Sequence, residues 1–577
     1  MNKQEVSEIL EEIATLLELK GENPFKSRAY ANAARIIASL ETDLSEAVRT
    51  EELRKVRGIG EALFEKIREL VTTGRLAYYE ELKSSIPSGL FEIIQIPGLG
   101  PKRAKLIYDK LGVATVGELE YACNENRLLS LEGFGPRMQE KIKEGIQYMK
   151  RHRGQFLYPV AHAEAQAIYE TLSKQKAIQR IAIAGSLRRK KETVKDIDFV
   201  VSAKSSEAVM EAFTTLPSVE EVIARGDTKS AVRLRSGIQA DLRVVSEAEF
   251  PYALHHFTGS KEHNIAMRAR AQRMGMKMNE YGLFKGDRLI PCKDEEAIFA
   301  KLGLAYIPPE LREDMGEIKA AEERRLPTLL EPKDIRGIFH THTTYSDGNA
   351  RLEEMVQAAL AAGYEYIGIS DHSQSAKYAH GLEVARIHQQ HDEIDKVQKK
   401  YPDIMIFKGI ECDILPDGSL DYSDDILATF DFVIASVHSK FNMTEEDMTA
   451  RVLKAIQNPY VTMLGHPTGR LLLSREGYPI NLQKVIDVAR ECGVVMELNA
   501  HPHRLDLDWR LGPYARDRGV SISINPDAHS TEGIRDVIYG VGIARKGWFT
   551  KEEVFNTRLA SDMRALLSRK RENLKLS

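Results

Sequence analysis

The chain has 577 residues, which is too long for a single hydrophobic core and predicts about three to five domains. Hydrophobic residues make up 43% and charged residues 29%, as in ordinary globular proteins, and no apolar run is long enough to cross a membrane. The net charge of −4 excludes a polycation, so contacts with nucleic acid must come from local sites.

Residues 1 to about 150 are predicted to be helical and contain three copies of an apolar-x-Gly-apolar-Gly segment followed by a helix. The copies are VRGIGEALFEKI (56–67), IPGLGPKRAKLI (96–107) and LEGFGPRMQEKI (131–142). Such glycines permit a tight turn, and the turn and the helix start that follows can bind a phosphate through backbone N–H groups. The alternative is a plain glycine-capped hairpin. The repetition favours binding to the DNA backbone, with these residues as candidates: Gly58, Gly60, Gly98, Gly100, Gly133, Gly135 and Lys102.

Residues 151 to about 317 contain short β-rich runs, and two of these runs carry carboxylates. Asp196 and Asp198 alternate along one predicted strand, so both face the same side, and Asp241 lies in another. An Asp-x-Asp pair alone is more often a solvated strand end. Three convergent carboxylates, however, can hold two Mg²⁺ or Mn²⁺ ions, one activating an attacking 3′-hydroxyl and the other binding the triphosphate.

A Gly-Ser pair about ten residues before these aspartates supports the same interpretation. Gly185 and Ser186 follow a β-rich run and precede a basic stretch. Ser186 and Arg189 are therefore candidates for binding triphosphate oxygens. Residues 318–334, which are charged and contain two prolines, are predicted to be a linker.

From residue 335 onwards, seven predicted strands alternate with helices, which indicates a parallel, barrel-like α/β fold. Of the 16 histidines in the chain, 11 lie in this region, and nearly every predicted strand ends in a residue that can bind a metal ion. Side chains at the carboxyl ends of barrel strands converge on one site. The nine predicted ligands are His340, His342, Asp347, His372, Glu411, His438, His466, Asp527 and His529.

One histidine alone is usually a satisfied, partly buried residue, but the repetition from strand to strand favours a metal centre. Such a set could hold up to three Mn²⁺ or Zn²⁺ ions that activate water against a phosphoester. Asp371 is expected to orient one of these ligands without binding a metal ion itself. His501 and His503 are possible substrate contacts, whereas a surface position is expected for His380, His388 and His391.

The first half of the chain resembles known polymerase families. The Gly-Ser and Asp-x-Asp pattern resembles the nucleotidyltransferase superfamily, and residues 252–284 resemble the thumb of family X DNA polymerases. This resemblance implies that Phe257 and Gly259 line the sugar pocket, that Asn264 contacts the incoming base, and that Arg268 contacts the template side. His256 departs from the pattern, because well-studied eukaryotic members have a tyrosine that bears on ribonucleotide rejection.

The two ends of the chain also resemble known domains. FKSRAYANAARII (25–37) resembles the basic helix of the family's 5′-phosphate-binding, lyase-type domain, which implies that Lys26 binds DNA and Lys66 is a Schiff-base nucleophile. Ala62 stands where that domain has a second basic residue. The pattern HTHTTYSDG…SDH…E…H…GHP…PDAH, which spans 335 to about 570, resembles the PHP (polymerase and histidinol phosphatase) family.

This order of domains resembles bacterial family X DNA polymerases and implies a multidomain α+β and α/β fold. It consists of a helical helix-hairpin-helix part, a nucleotidyltransferase palm with a thumb, and a distorted (βα)7-type PHP barrel. The expected segments are a lyase-type domain (1–80), helix-hairpin-helix fingers (81–150), palm (151–250), thumb (251–317), linker (318–334) and PHP domain (335–577).

The implied function is template-directed filling of short gaps in base-excision repair, with a Mn²⁺-dependent 3′–5′ exonuclease, AP-endonuclease or 3′-phosphatase in the PHP domain. The expected partners are gapped or nicked DNA and dNTPs. A cytoplasmic monomer, associated with the nucleoid when bound to DNA, is expected. Two alternatives stay open: a non-templated RNA nucleotidyltransferase fused to a phosphatase, and a DNA-binding scaffold with structural metals.

Overall fold

The computed structural model describes the chain except for residues 2, 41, 125–126, 153, 474 and 577. It divides into two compact units, residues 1–153 and 154–577. Among the described residues, none of the helices combines the length and the apolar character needed to span a bilayer.

The first unit is helical throughout its described part. Its α-helices are α1 (Lys3–Lys20), α2 (Pro24–Ala38), α3 (Leu44–Arg49), α4 (Glu61–Thr73), α5 (Ala77–Ser84), α6 (Gly89–Ile94), α7 (Pro101–Leu111), α8 (Val116–Asn124) and α9 (Pro136–His152). Short 3-10 helices cover Glu52–Lys55 and Arg127–Ser130. Helix α1 buries Leu10, Ile13 and Leu17 at helical spacing, and these side chains join the apolar core of this unit.

The second unit begins with the palm. Its elements are β1 (Phe156–Leu157), α10 (Tyr158–Leu172), β2 (Ile178–Ile183), α11 (Gly185–Arg188), β3 (Thr193–Val194), β4 (Asp196–Ala203), α12 (Ser206–Thr214), β5 (Val219–Arg225), β6 (Lys229–Leu234) and β7 (Gln239–Val245). Five strands form a sheet in the order β2-β4-β7-β6-β5, in which β4 and β7 run parallel. Strand β4 buries Ile197 and Phe199, so Asp196 and Asp198, which alternate with them, lie on the opposite face.

The thumb follows directly. Its elements are α13 (Phe250–Thr258), α14 (Lys261–Arg273), β8 (Lys277–Asn279), β9 (Gly282–Lys285), β10 (Arg288–Leu289), α15 (Glu295–Lys301), a 3-10 helix (Pro309–Leu311) and α16 (Glu317–Glu322). The segment 318–334, which is predicted to be a linker, packs against its neighbours. It starts within α16, Ala321 is buried in the thumb core, and the Leu330 amide donates to the Phe549 carbonyl. Its scattered apolar residues lack a strand or long-helix period, which hid this packing in the sequence.

The third part of the chain forms the barrel. Its elements are a 3-10 helix (Pro332–Asp334), β11 (Gly337–Ile338), α17 (Leu352–Ala361), β12 (Tyr366–Ile369), a 3-10 helix (Lys377–Ala379), α18 (Val384–Lys400), β13 (Met405–Asp413), α19 (Asp424–Leu427), β14 (Phe432–Ser436), α20 (Glu445–Ile456), β15 (Met463–Leu464), α21 (Leu482–Cys492), β16 (Val495–Asn499), a 3-10 helix (Trp509–Leu511), α22 (Gly512–Arg518), β17 (Ile522–Asn525), a 3-10 helix (Gly533–Asp536), α23 (Val537–Lys546), a 3-10 helix (Phe555–Thr557) and α24 (Ala560–Leu576).

The seven strands β11 to β17 are parallel and adjacent in chain order. A parallel bridge between Thr341 and Ala528 joins the first and last strands, and the His342 amide donates to the Ala528 carbonyl at 2.8 Å. The sheet is therefore a nearly closed barrel, which confirms the predicted fold class. Its strands are almost entirely buried, as expected for a parallel sheet covered by helices.

Candidate functional site

The palm sheet brings its three predicted carboxylates to one face. In the parallel pair β4 and β7, Asp198 lies directly opposite Asp241. Asp196 precedes Asp198 by two residues on the same strand, so it shares that face. The alternation in the sequence predicts a shared face for Asp196 and Asp198. The register between β4 and β7 shows that Asp241 lies beside them.

Like charges set the electrostatics of this face. Burial and the neighbouring Asp196 and Asp241 carboxylates raise the pKa of Asp198 to about 7. Burial and Asp241 also raise the pKa of Asp196. The Lys229 Nζ atom, 3.8 Å from an Asp241 carboxylate oxygen, offsets part of this repulsion. A set of oxygen ligands whose charges repel one another in this way fits hard divalent cations such as Mg²⁺.

A tight loop brings the Gly-Ser pair against these carboxylates. A Cβ atom at Gly185 would lie 2.2 Å from Asp198 Oδ2, and Gly185 has a φ of 63°, so only glycine permits this approach. Ser186 lies in the short helix α11. Arg189 turns instead to the thumb, where its Nε donates to Glu313 at 2.9 Å and its Nη1 to the Thr258 carbonyl at 2.6 Å. Its contact with a triphosphate stays a prediction.

The predicted nucleotide-binding residues of the thumb lie around the start of α14. Gly259 has a φ of 68° and lies beside the Arg189 guanidinium. The Asn264 amide donates to the His256 carbonyl at 2.7 Å, and Arg268 lines a small cavity with both residues. The guanidinium of Arg243 lies 4.4 Å from the centre of the Phe257 ring. Their roles in binding sugar, base and template stay predictions.

The glycine turns of the first unit adopt the conformation that their spacing predicts. The first glycine of each copy has a positive φ, namely Gly58 (104°), Gly98 (90°) and Gly133 (82°). The second glycine caps the following helix at Gly60 and Gly100, and Gly135 directly precedes α9. The residue between the two glycines is buried in each copy, whereas the glycines are exposed, as is Lys102. An exposed turn of this kind can receive a phosphate.

The two lysines predicted for the lyase-type domain lie around one tyrosine. The Nζ atoms of Lys26 and Lys66 are 5.5 Å and 4.8 Å from the centre of the Tyr78 ring. Lys66 projects from α4, the helix that follows the first glycine turn. The structure thus groups the two positions that the resemblance selected, and their DNA contacts and any Schiff-base chemistry stay predictions.

The barrel brings all nine of its predicted ligands together. Three groups have ligand atoms within 4.8 Å of one another: His342, Asp347, His372 and His529; His340, His342 and Asp527; and His372, Glu411 and His438. The ninth, His466, has its Nε2 2.9 Å from Glu411 Oε1 and 3.3 Å from His438 Nε2. Three overlapping groups fit a cluster of up to three cations.

Backbone conformation and burial distinguish this centre from a surface cluster. Asp527 and His466 have φ angles of 52° and 22°, a region that such residues rarely adopt and that tends to occur at functional sites. The Nε2 atom of His340, both ring nitrogens of His342 and Glu411 Oε2 are buried without a hydrogen bond among the described residues. Buried polar atoms left in this way are costly unless a ligand engages them. The donors therefore fit metal ions of the transition series.

Glu411 dominates the electrostatics of the centre. Burial opposes the charge of His438, yet the Glu411 and Asp413 carboxylates raise its pKa to about 10. His342 behaves in the opposite way, because burial and the neighbouring His529 and His372 lower its pKa to about 3. A histidine held neutral keeps a lone pair for a metal ion.

Two carboxylates that contact the rings of predicted metal ligands were not predicted from the sequence. Glu497, in the one barrel strand without a predicted ligand, lies 2.7 Å from His340 Nδ1, and Asp413 lies 2.6 Å from His438 Nδ1. Such partners fix the tautomer and orientation of a metal-binding imidazole. The only indication in the sequence was a carboxylate within an otherwise apolar strand.

Other predictions for the barrel need correction or detail. Asp371, which is predicted to orient a ligand, accepts hydrogen bonds from Thr343, Ser346 and Gln390, and so holds the loop that carries Asp347. The surface position predicted for the helical histidines holds for the exposed His380 and His388. It fails for His391, which packs edge-on against Phe430 with ring centres 5.1 Å apart.

The loop after β16 also lies close to the metal centre. Arg504 Nε is 3.3 Å from Asp527 Oδ2. The pKa of His501 is lowered to about 4 by burial, with Asp527, Arg504 and His529 among its charged neighbours. The contact of His501 and His503 with substrate stays a prediction.

Known proteins and family models match this chain along almost its whole length. Family models match residues 1–76 (helix-hairpin-helix domain), 91–147 (SAM-like helix-hairpin-helix tandem), 253–313 (DNA polymerase beta thumb) and 339–501 (PHP domain). The "DNA polymerase/3′-5′ exonuclease PolX" of Bacillus subtilis (strain 168) is 40% identical over 573 residues, which is 99% of this chain and 100% of that protein.

The C-terminal part also matches smaller proteins. A probable phosphatase of Thermoanaerobacter sp. (strain X514) is 27% identical over 245 residues, covering 40% of this chain and 95% of that protein. A probable phosphatase of Caldicellulosiruptor bescii is 35% identical over 206 residues, covering 33% of this chain and 78% of that protein. The residues that match the PHP family model (339–501) include seven of the nine predicted ligands, all except Asp527 and His529.

Proposed function

The chain belongs to the family of the bacterial DNA polymerase/3′–5′ exonuclease PolX, and from this we propose that it fills short gaps in DNA during base-excision repair. The observation that carries the proposal is the presence of two separate centres in the unit 154–577. One is a face with three carboxylates beside a Gly-Ser loop, and the other is a nine-ligand cluster inside the barrel.

The palm is the proposed site of nucleotidyl transfer. Asp196, Asp198 and Asp241 would hold two Mg²⁺ or Mn²⁺ ions, which lower the pKa of a primer 3′-hydroxyl and neutralise triphosphate charge when bound. Gly185 lies against Asp198, and Ser186 with the backbone of the same loop would hold phosphate oxygens. The thumb would align the incoming dNTP and template through the side chains of Asn264 and Arg268.

The barrel is the proposed site of 3′ trimming. Its nine ligands would hold Mn²⁺ or Zn²⁺ ions, which supply a nucleophilic water and neutralise phosphate charge when bound. Glu497 and Asp413 orient His340 and His438. We propose that this site removes or cleans 3′ ends so that the palm can extend them. We also propose that the exposed glycine turns of the first unit bind the backbone of gapped or nicked DNA.

The test uses a 5′-labelled primer on a duplex with a one-nucleotide gap and Mn²⁺, with and without dNTPs. The Asp196→Ala/Asp198→Ala variant is expected to lose template-matched extension and keep 3′ trimming. The His340→Ala/His342→Ala variant is expected to show the reverse, since the two centres share no ligand. Extension by the first variant would refute the palm assignment, and trimming by the second would refute the barrel assignment.

The same assay separates this proposal from a non-templated RNA nucleotidyltransferase. Insertion that follows the template base supports the polymerase, whereas insertion independent of the template supports the alternative. The match of residues 253–313 to the polymerase beta thumb favours the first outcome.

A further inference from the structure

One helix of the barrel extends its contacts to the palm and thumb. Lys546, the last residue of α23, has a side chain that is 0% exposed. Its Nζ donates to the Arg189 carbonyl at 3.1 Å, to the Glu310 carbonyl at 3.4 Å and to the Glu313 carboxylate. An ammonium in the phosphoesterase domain is therefore bonded to three residues of the polymerase part.

Two of these residues, Arg189 and Glu313, are also bonded to each other. The Glu313 carboxylate oxygen that accepts from Lys546 accepts from Arg189 Nε at 2.9 Å. The side chains of Arg189 and Glu313 are only 11% and 9% exposed. Since buried charges are stable only when paired and hydrogen-bonded, these three groups depend on one another for their positions.

Arg189 connects this cluster to the nucleotide site. It follows α11 directly, and the Lys191 amide closes the loop by donating to the Ser186 carbonyl at 3.1 Å. Gly185, at the start of the same loop, lies against Asp198. A shift of the Arg189 backbone would therefore displace the Gly-Ser loop relative to the carboxylates.

We propose that Lys546 is a positioning residue for nucleotide binding. Through Arg189 and Glu313, the phosphoesterase domain holds the Gly-Ser loop of the palm in the geometry that receives a triphosphate. This inference rests on the proposed polymerase function and gives the barrel a second role, which is independent of its metal centre.

The test is Lys546→Met in the full-length chain, with steady-state KM and kcat for the template-matched dNTP on a one-nucleotide gap. Methionine fills a similar volume and leaves Glu313 paired with Arg189, so no buried charge loses its last partner. We expect KM to rise about tenfold, because a displaced loop weakens triphosphate binding. We expect kcat to change less than about twofold, because the loss of uniform substrate binding raises KM and leaves kcat almost unchanged. The rate of 3′ trimming should stay at the wild-type value.

Three further variants exclude a general loss of structure. Glu313→Gln should raise KM similarly, and the double variant Lys546→Met/Glu313→Gln should be no worse than either single change, because residues in one network are not additive. Arg545→Met is the matched control: this neighbour donates to the Glu310 carboxylate and the Leu330 carbonyl, so KM should stay at the wild-type value.

The outcomes distinguish failure of the proposed role of Lys546 from failure of the proposed polymerase function. A wild-type KM in Lys546→Met with normal trimming overturns the inference, and so does an equal rise in Arg545→Met, which would indicate general domain docking. Should Lys546→Met lose both activities and melt early, the KM of Glu313→Gln decides in its place. A wild-type protein that extends no primer refutes the polymerase function itself.

Discussion

Glu497 shows how one buried carboxylate can control a metal ligand. Besides His340 Nδ1, it accepts hydrogen bonds from the His466 amide at 2.7 Å and from Asn525 Nδ2 at 3.1 Å. Its side chain is fully buried. The carboxylate therefore fixes the ring of one predicted ligand and the backbone of another.

Glu497→Gln is expected to weaken metal binding in the barrel. The amide keeps the shape but removes the charge that holds the His340 ring, and such changes typically cost about 10- to 100-fold in metal affinity or activity. The measurement is the Mn²⁺ concentration that gives half-maximal 3′ trimming. Glu446→Gln, the same change at an exposed position of α20, is the control. An unaltered Mn²⁺ requirement in Glu497→Gln would contradict this role.

At this scale the sequence predicted which side chains the barrel brings together, and it did not predict the carboxylates that contact them. The nine predicted ligands lie close together because strand ends in a parallel barrel must converge, so local periodicity was enough to select them. Glu497 and Asp413 contact histidines from other strands, and no local pattern encodes which buried carboxylate meets which ring. The same limit applies to Arg189, whose contact with Glu313 depends on how the thumb folds back.

At the level of elements, the helix-hairpin-helix turns behave as their sequence predicts, because each needs only a local conformation. Glycine at a positive φ and a helix cap two residues later produce the turn without help from distant residues. The packing of segment 318–334 could not be predicted, for the opposite reason. Its structure depends on packing against the thumb core and on the Phe549 carbonyl, which lies far away in the chain.

Lys102→Ala tests whether the second turn binds a DNA phosphate. Lys102 is exposed in the first turn of α7, directly after the Gly98–Gly100 turn. Loss of one phosphate contact should reduce the slope of log Kd against log salt by about 0.9. The measurement is a salt titration of binding to gapped duplex in chelator. Lys110→Ala removes the same charge from the far end of α7 and should leave the slope unchanged. Equal slopes in both variants and the wild type would exclude this contact.

At the scale of the whole unit 154–577, the palm and barrel are joined by buried charge. Glu192 of the palm accepts hydrogen bonds from Trp509 Nε1 at 3.1 Å and from Arg510 Nη1 at 3.2 Å, both in the barrel. The cluster around Lys546 forms a second such contact. The sequence could not predict either one, since each residue alone is typical of a solvated surface and nothing local encodes which surfaces meet.

The Glu192 contact predicts a specific dependence of stability on pH. Burial acts against the charge, but Arg510 and Arg470 hold the pKa of Glu192 below its ordinary value of 4.5. A carboxylate with a lowered folded-state pKa stabilises the fold above the unfolded pKa, and this stabilisation is lost as the pH falls through the folded pKa. Glu192→Gln should therefore destabilise the unit at pH 7 and have little effect once the pH has fallen through the lowered folded-state pKa of Glu192.

The measurement is thermal unfolding of the full chain in chelator, so that metal binding does not vary with pH. A hydrogen bond to a charged group contributes about 1.5–3 kcal/mol. The Tm of Glu192→Gln should thus fall several degrees below the wild-type Tm at pH 7, and the two values should converge as the pH approaches 3. Glu221→Gln, which changes the exposed pair with Arg233, should match the wild type at both pH values. A deficit of equal size at pH 3 and pH 7 would mean that Glu192 acts through packing, because protonation would then leave its contribution intact.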